Sequence, residues 1–149
     1  MGVTHANLLH HFGSAGALQA ELMAMMIRDL VEAMRVGIPK RRTGEMTMAD
    51  VVGQTFDAFG KGGAGHLAAW LVLNRETKHL QPIGAAVREL AQSLTSEDPH
   101  FSVERAILFS TMMAFADAVI GPYLRPMLDQ PETAARDIVV QLAPETMAV

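Results

Sequence analysis

Two groups of side chains in this sequence have types and positions that could do chemistry: the six histidines and the carboxylate of Asp117. For the histidines that chemistry would be metal ligation; for Asp117 it would be proton transfer or the anchoring of a ligand. Zinc sites want three or four convergent ligands held by an ordered outer shell. His10 and His11 are adjacent and so point to different sides of a helix, and neither His5 nor His66 has a ligand type three or four positions away. The spacing predicts no metal site and no cofactor, with the histidines acting as polar surface or interface residues. The absence of cysteine excludes disulfides, thiolate nucleophiles and sulfur-ligated metals.

Asp117 interrupts an apolar helix face, where an isolated carboxylate is costly unless it is paired or faces a pocket. Two readings stay open. It is a capped or solvent-edge residue, or it is a polar anchor in a ligand cavity or at a dimer interface. His66, Trp70, Met112, Met113 and Phe115 are candidates to line the same space, since apolar walls with a few polar groups are the usual make-up of a small-molecule pocket. Plain core is the competing reading for these five. Eleven methionines carry the same ambiguity, serving either as gap-fillers or as the wall of a plastic pocket.

Catalytic signatures are missing. There is no Gly-x-Ser-x-Gly elbow and no His-Glu-x-x-His helix, and Glu45, Glu76, Glu89 and Glu104 fall on charged faces. Gly60-Lys61-Gly62-Gly63-Ala64-Gly65 superficially suggests a phosphate loop. No strand precedes it, however, and no Gly-Lys-Ser/Thr closes it. The chain is therefore not expected to be an enzyme.

The elements that would position these residues read as helices throughout. Met23, Met26, Ile27, Leu30 and Met34 make the buried stripe of a long helix over 17–36, which Gly37-Ile38-Pro39 should stop. Lys40-Arg41-Arg42-Thr43-Gly44 should follow as a basic loop. Thr47 with Asp50 marks the start of the next helix, whose stripe is Met48, Val52, Thr55, Phe56 and Phe59. The segment from His66 to Asn74 is apolar all round and so is expected at the centre of the fold. Ile83, Val87, Leu90 and Leu94 form the buried face of a helix near Pro82, and residues 95–100 read as a linker. Ser102 caps a helix whose apolar residues, Ile107, Leu108, Met112, Met113, Phe115, Val119 and Ile120, cover most of its circumference. Gly121-Pro122 should end it, Tyr123 and Pro126 should form a bent connector, and Ala135, Ile138, Val139 and Leu142 make the stripe of a last helix. This totals six to seven helices and no strands, an all-α fold.

Composition bounds the partners. The chain has 149 residues, enough for one domain with a substantial core. Its formal net charge of −4 lacks the basic surplus of a free-standing nucleic-acid binder. No signal peptide is visible, and the longest apolar stretch, 106–121, is too short and too often interrupted to span a bilayer. A cytoplasmic protein with no membrane partner is expected. The helix over 102–121 carries more apolar surface than one small core would cover, and a two-fold homodimer would cover the remainder.

The N-terminal stretch Gly2-Val3-Thr4-His5-Ala6-Asn7-Leu8-Leu9-His10-His11-Phe12-Gly13-Ser14 is the most specific motif. Leu8, Leu9 and Phe12 fall at near-helical spacing, a break follows at Gly13-Ser14, and a long helix restarts. This resembles the recognition helix of the tetracycline-repressor (TetR) family, which ends in an aromatic-His-Phe-Gly-Ser sequence and leads into a ligand-binding domain. The resemblance covers residues 2 to about 22 by residue identity and the rest by helix count and order. It implies a helix-turn-helix remnant over 1–16 and a ligand-binding and dimerisation domain over 17–149. Thr4, His5, Ala6 and Asn7 would then face base edges and phosphates, with His10 and His11 near the DNA backbone. Asn7 can contact adenine through both of its amide atoms. The last two helices would pair with their mates across a dimer through Ile107, Val119, Ile138, Val139 and Leu142, and an apolar effector of unspecified identity would bind between the central helices.

A recognition helix reads the major groove because an earlier helix braces it. The chain begins where that reading helix begins. The resemblance thus implies two further helices, on the order of 30 residues, in a chain that binds operator DNA. Leu9 stands where the family usually has a phosphate-contacting Tyr, and Ala15 where it has a Lys. Both departures, with the acidic balance, support an alternative: a dimeric helical sensor or interaction module that does not touch DNA.

Overall fold

The computed structural model describes residues 14–76, 81–94 and 102–142. The expected recognition helix, with Thr4, His5, Ala6, Asn7, His10 and His11, lies outside the described residues, as does the linker at 95–100. Among the described residues the protein is all-helical, with seven helices and no strand.

The first, α1 (Ala15–Arg42), is capped by the Ser14 hydroxyl, which accepts from the Ala17 N–H at 3.1 Å. Of the expected stripe Met23 and Ile27 are buried, with Ala20, Ala24 and Val31 beside them, while Met26, Leu30 and Met34 are half-buried. The expected stop at Gly37-Ile38-Pro39 is wrong: the helix runs on through Pro39 to Arg42. A proline this close to the end removes only the hydrogen bond to the Arg35 carbonyl. The last turn is closed instead by Thr43 N–H donating to the Pro39 carbonyl at 3.1 Å and Glu45 N–H to that of Lys40 at 2.8 Å. Tertiary packing supplies the rest. Gly37 is buried close against Gln54, and Ile38 faces the cavity described below. Lys40, Arg41 and Arg42 are accordingly not loop residues; they stand in the last helical turn, where cations meet the negative end of the helix dipole.

Helix α2 (Met48–Phe59) begins with a reciprocal cap. Thr47 Oγ1 accepts from the Asp50 N–H at 3.1 Å, and Asp50 Oδ2 accepts from the Thr47 N–H at 2.8 Å. The Thr47 backbone N–H, and then the Thr47 hydroxyl, which donates to Asp50 Oδ2 at 2.7 Å, hold the Asp50 carboxyl below its ordinary range. Val51, Val52, Thr55, Phe56 and Phe59 are all buried, and this helix packs against α1 and against three that follow: α3 (Ala64–Leu73), α5 (Val103–Val119) and α7 (Ala134–Leu142).

The centre of the fold is therefore α2, not the all-apolar segment after His66. Helix α3 buries Ala64, Ala68 and Leu71 but leaves Val72 and Leu73 exposed, Leu73 to 81%. Apolar composition all round a helix does not by itself bring neighbours to every side. Its entry explains the glycines. Gly63 takes φ 85° as the N-cap, a left-handed conformation natural to glycine. At Gly65 a Cβ would lie 2.7 Å from the Ala118 Cβ, so the missing side chain is what lets α3 approach α5. The glycines serve a tight turn and a close helix contact.

Helix α4 (Gln81–Ser93) lies on α1, with Leu90 buried and Arg35 donating to Glu89 at 2.8 Å. Helix α5 is capped by Ser102, as expected. The expected connector after it is instead a short helix, α6 (Gly121–Met127), which starts at once and bends 78° from α5. Pro122 suits a first helical turn, where its missing N–H has no partner to lose. No single helix among the described residues is long and apolar enough to cross a membrane; α5 and α6 qualify only together, across that bend.

Candidate functional site

A cavity of about 450 Å³ lies where α1, α2, α4, α5 and α7 converge, within the size range of small-molecule sites. From α1 it is walled by Met23, Ile27, Leu30 and Met34, and from α2 by Met48, Val51, Val52 and Phe59. Ile83, Val87 and Leu90 close it on the α4 side, Ile107 and Phe109 on α5, and Val139 and Leu142 on α7. These are the apolar stripes that amphipathic patterning assigns to a core. The five helices converge without filling the space between them.

The polar groups are few. Thr55 from α2 is among the lining residues and is 3% exposed; its Oγ1 is buried away from the open space, with no hydrogen-bond partner among the described residues. Ser110 and Thr111 line the α5 wall, and Arg105 is the one charged residue of the described lining. Ser102 is also present but is occupied as the helix cap, accepting from the Arg105 N–H at 3.3 Å.

The residues singled out from sequence as ligand-binding are not brought together here. None of His66, Trp70, Met112, Met113, Phe115 or Asp117 lines the cavity. His66 is exposed on α3, and Met112 is 62% exposed on α5. Trp70, Met113 and Phe115 are half-buried against the core. Asp117 has its partner within the fold: Arg125 Nη1 donates to Asp117 Oδ1 across the α5–α6 bend, with both side chains 18% exposed. Gly121 leaves room for that pair, since a Cβ there would lie 2.6 Å from Asp117 Oδ1 and collide with the guanidinium. Asp117 thus braces the bend.

The residues assigned to a dimer interface divide. Val139 is 2% exposed inside its own chain and has no surface to offer a partner. Ile107 is half-buried on the cavity wall, and Val119 is half-buried. Ile138 and Leu142 are exposed, with Leu108, Phe109 and Met112 exposed on α5.

Sequence reasoning missed Thr55 as a site residue, although a signal was present: it is the one hydroxyl on the stripe Met48, Val52, Thr55, Phe56, Phe59. Ser110 and Thr111 gave a similar signal, as interruptions of the longest apolar run. Among the described residues no three His, Asp or Glu side chains gather as metal ligands would. Comparisons with protein-family profiles, with curated proteins and with solved structures return no match.

Proposed function

We propose that this chain is the effector-binding and dimerising part of a ligand-responsive transcriptional repressor of the tetracycline-repressor type, working in the cytoplasm. The observation that carries the reading is the apolar cavity of about 450 Å³ between five helices, open to solvent beside the exposed Phe109 and Leu142. The residues of the N-terminal motif, the long helix that follows it and the bare apolar faces of α5 and α7 support it. A small apolar effector would occupy the cavity and favour one of two arrangements of the dimer, changing the separation of the DNA-reading heads by population shift. α1 enters that scheme as the link between Ser14, at the end of the reading motif, and Met23 and Ile27 on the cavity wall.

A second reading is favoured by Leu9, Ala15 and the net charge of −4: a dimeric helical sensor that takes the same effector without binding DNA. Fluorescence anisotropy separates the two. The full chain is titrated against labelled duplexes from the region around its own coding sequence and against random-sequence duplex, at salt concentrations from about 50 to about 200 mM. The repressor reading expects sequence-specific binding that weakens steeply with salt and is released when the cavity is filled. Ligand uptake without DNA binding at any salt would leave the sensor reading.

A further inference from the structure

We propose that the cavity takes a monocarboxylate with an aliphatic tail, the tail lying between the helices and the carboxylate at the mouth beside Arg105. The inference rests on the ligand-sensing part of the proposed function, adds an anionic head to its apolar effector, and is independent of DNA binding. Arg105 is the one charged residue of the described lining, and it is exposed. It stands one helical turn before the exposed Phe109, on the side of α5 where the cavity opens. An arginine in that place can lay its aliphatic stem along the apolar wall and keep its charged end at the opening.

The described fold gives this charge no partner. Among the described residues Arg105 makes no ion pair, and it is the backbone N–H, not the side chain, that joins the Ser102 cap. In the first turn of α5 a cation also opposes the helix dipole, whose positive end favours an anion. Glu104, the acid of that turn, accepts from the Ser102 hydroxyl at 2.9 Å and is not a lining residue. A carboxylate at the mouth would meet the guanidinium through two parallel hydrogen bonds. It would also escape the desolvation that a charge deeper between the helices would suffer. One guanidinium matches one negative charge, which favours a carboxylate over a phosphate monoester, nearly doubly charged at neutral pH. The tail meets walls of aliphatic and methionine side chains, Met23, Ile27, Val52, Val87 and Ile107 among them, which adapt to a chain of varying shape.

The test is calorimetric titration of the full chain, of Arg105→Gln and of Arg105→Lys. The probes are decanoate, 1-decanol, decyl phosphate and decyltrimethylammonium, each below its micelle concentration. Decanoate should bind the wild type, and Arg105→Gln should lose about 3- to 10-fold of that affinity, between the worth of an exposed ion pair and of a charged hydrogen bond. Affinity for 1-decanol should change less than about two-fold in the same variant, and Arg105→Lys should retain part of the decanoate affinity that Arg105→Gln loses. Raising salt from about 50 to about 500 mM should weaken decanoate binding to the wild type more than to Arg105→Gln. The Tm of ligand-free Arg105→Gln should equal or exceed that of the wild type, because the lost cation opposed the helix dipole. Decanoate affinity unchanged in Arg105→Gln, equal losses for decanoate and decanol, or preference for the cation overturns the proposal while leaving a ligand-sensing cavity in place. Tighter binding of decyl phosphate than of decanoate overturns the carboxylate head. Failure of every probe to bind overturns both the proposal and the ligand-sensing reading. Arg105-dependent decanoate binding that alters neither dimer nor DNA affinity upholds the proposal and removes the repressor reading.

Discussion

Arg136 Nη2 donates to Asp57 Oδ1 at 2.7 Å, joining residues 79 positions apart. The same guanidinium lies 5.8 Å from the centre of the Phe56 ring, and Lys61 approaches Asp57 Oδ1 at 3.3 Å. One side chain of α7 thus grips both an acid and an aromatic face of the central helix. Since α7 supplies Val139 and Leu142 to the cavity wall, this contact fixes one side of the site.

The pair sets a pH dependence. Partial burial pushes the Asp57 carboxyl upward, but hydrogen bonds from Arg136 and Lys61 outweigh it and hold the group below its ordinary value of 3.8. A depressed carboxyl contributes stability that is fully present above the unfolded-state value and is lost as pH falls through the folded one. Asp57→Asn should therefore cost about 0.5–1 kcal/mol at pH 7, discounted because the acid is 45% exposed. In urea denaturation the gap between wild type and variant should close from about pH 4 downward. A gap unchanged at low pH would mean that packing, not charge, holds α7.

Asp117 and Arg125 make a more buried pair, and removing one partner leaves the other desolvated without compensation. Asp117→Ala should lower stability by about 2–3 kcal/mol, a fall in Tm on the order of 5–10 °C for a chain of this size. The double variant Asp117→Leu/Arg125→Met should recover most of that loss. Ligand affinity of the folded single variant should match the wild type, because the pair lies outside the cavity lining. A selective loss of ligand binding would return Asp117 to the site.

Much of the helical plan is legible in the sequence. The stripes of α1 and α2 are set by a local period of 3.6 residues, and the Thr47 and Ser102 starts by cap chemistry in neighbouring residues. Pro39 and the bare faces of Val72 and Leu73 mislead because tertiary contacts decide them: Gly37 against Gln54 extends α1, and the end of α3 is left uncovered. The site is least legible. Met23, Val52, Leu90 and Val139 follow core patterning, and periodicity does not distinguish a filled interior from one with 450 Å³ left open. Asp117 reads correctly as needing a partner or a pocket, but its partner, Arg125, lies beyond a bend that the sequence presents as a connector.

Two glycine substitutions should have opposite signs. Gly65→Ala places a Cβ 2.7 Å from the Ala118 Cβ and 3.0 Å from the Phe59 carbonyl oxygen, forcing α3 off α5 at a cost of about 1–3 kcal/mol. A Cβ added at Gly84, inside α4, would meet no atom within 4 Å. Gly84→Ala should stabilise by about 0.5–1 kcal/mol through helix propensity. Chemical denaturation of both variants decides it, and a neutral Gly65→Ala would mean that α3 is not held closely against α5.

The outer face of α5 carries the dimer expectation. Leu108 and Met112 lie one turn apart and are 59% and 62% exposed, while Ile138 and Leu142 show 45% and 64% on α7, which packs beside α5. Burying side chains of this size is worth about 1.5–3 kcal/mol each, so a two-fold contact that covers them twice gains enough to offset much of the cost of association. Leu108→Glu/Met112→Glu places charge on that face without touching the core of the protomer. Sedimentation equilibrium should show a wild-type dimer at micromolar concentration and a monomeric variant, with the helical circular dichroism unchanged. Leu22→Glu/Val36→Glu puts the same charge on exposed positions of α1 and should leave the dimer intact. A wild type that sediments as a monomer would remove the two-headed repressor, and with it the mechanism by which a ligand in the cavity changes DNA affinity.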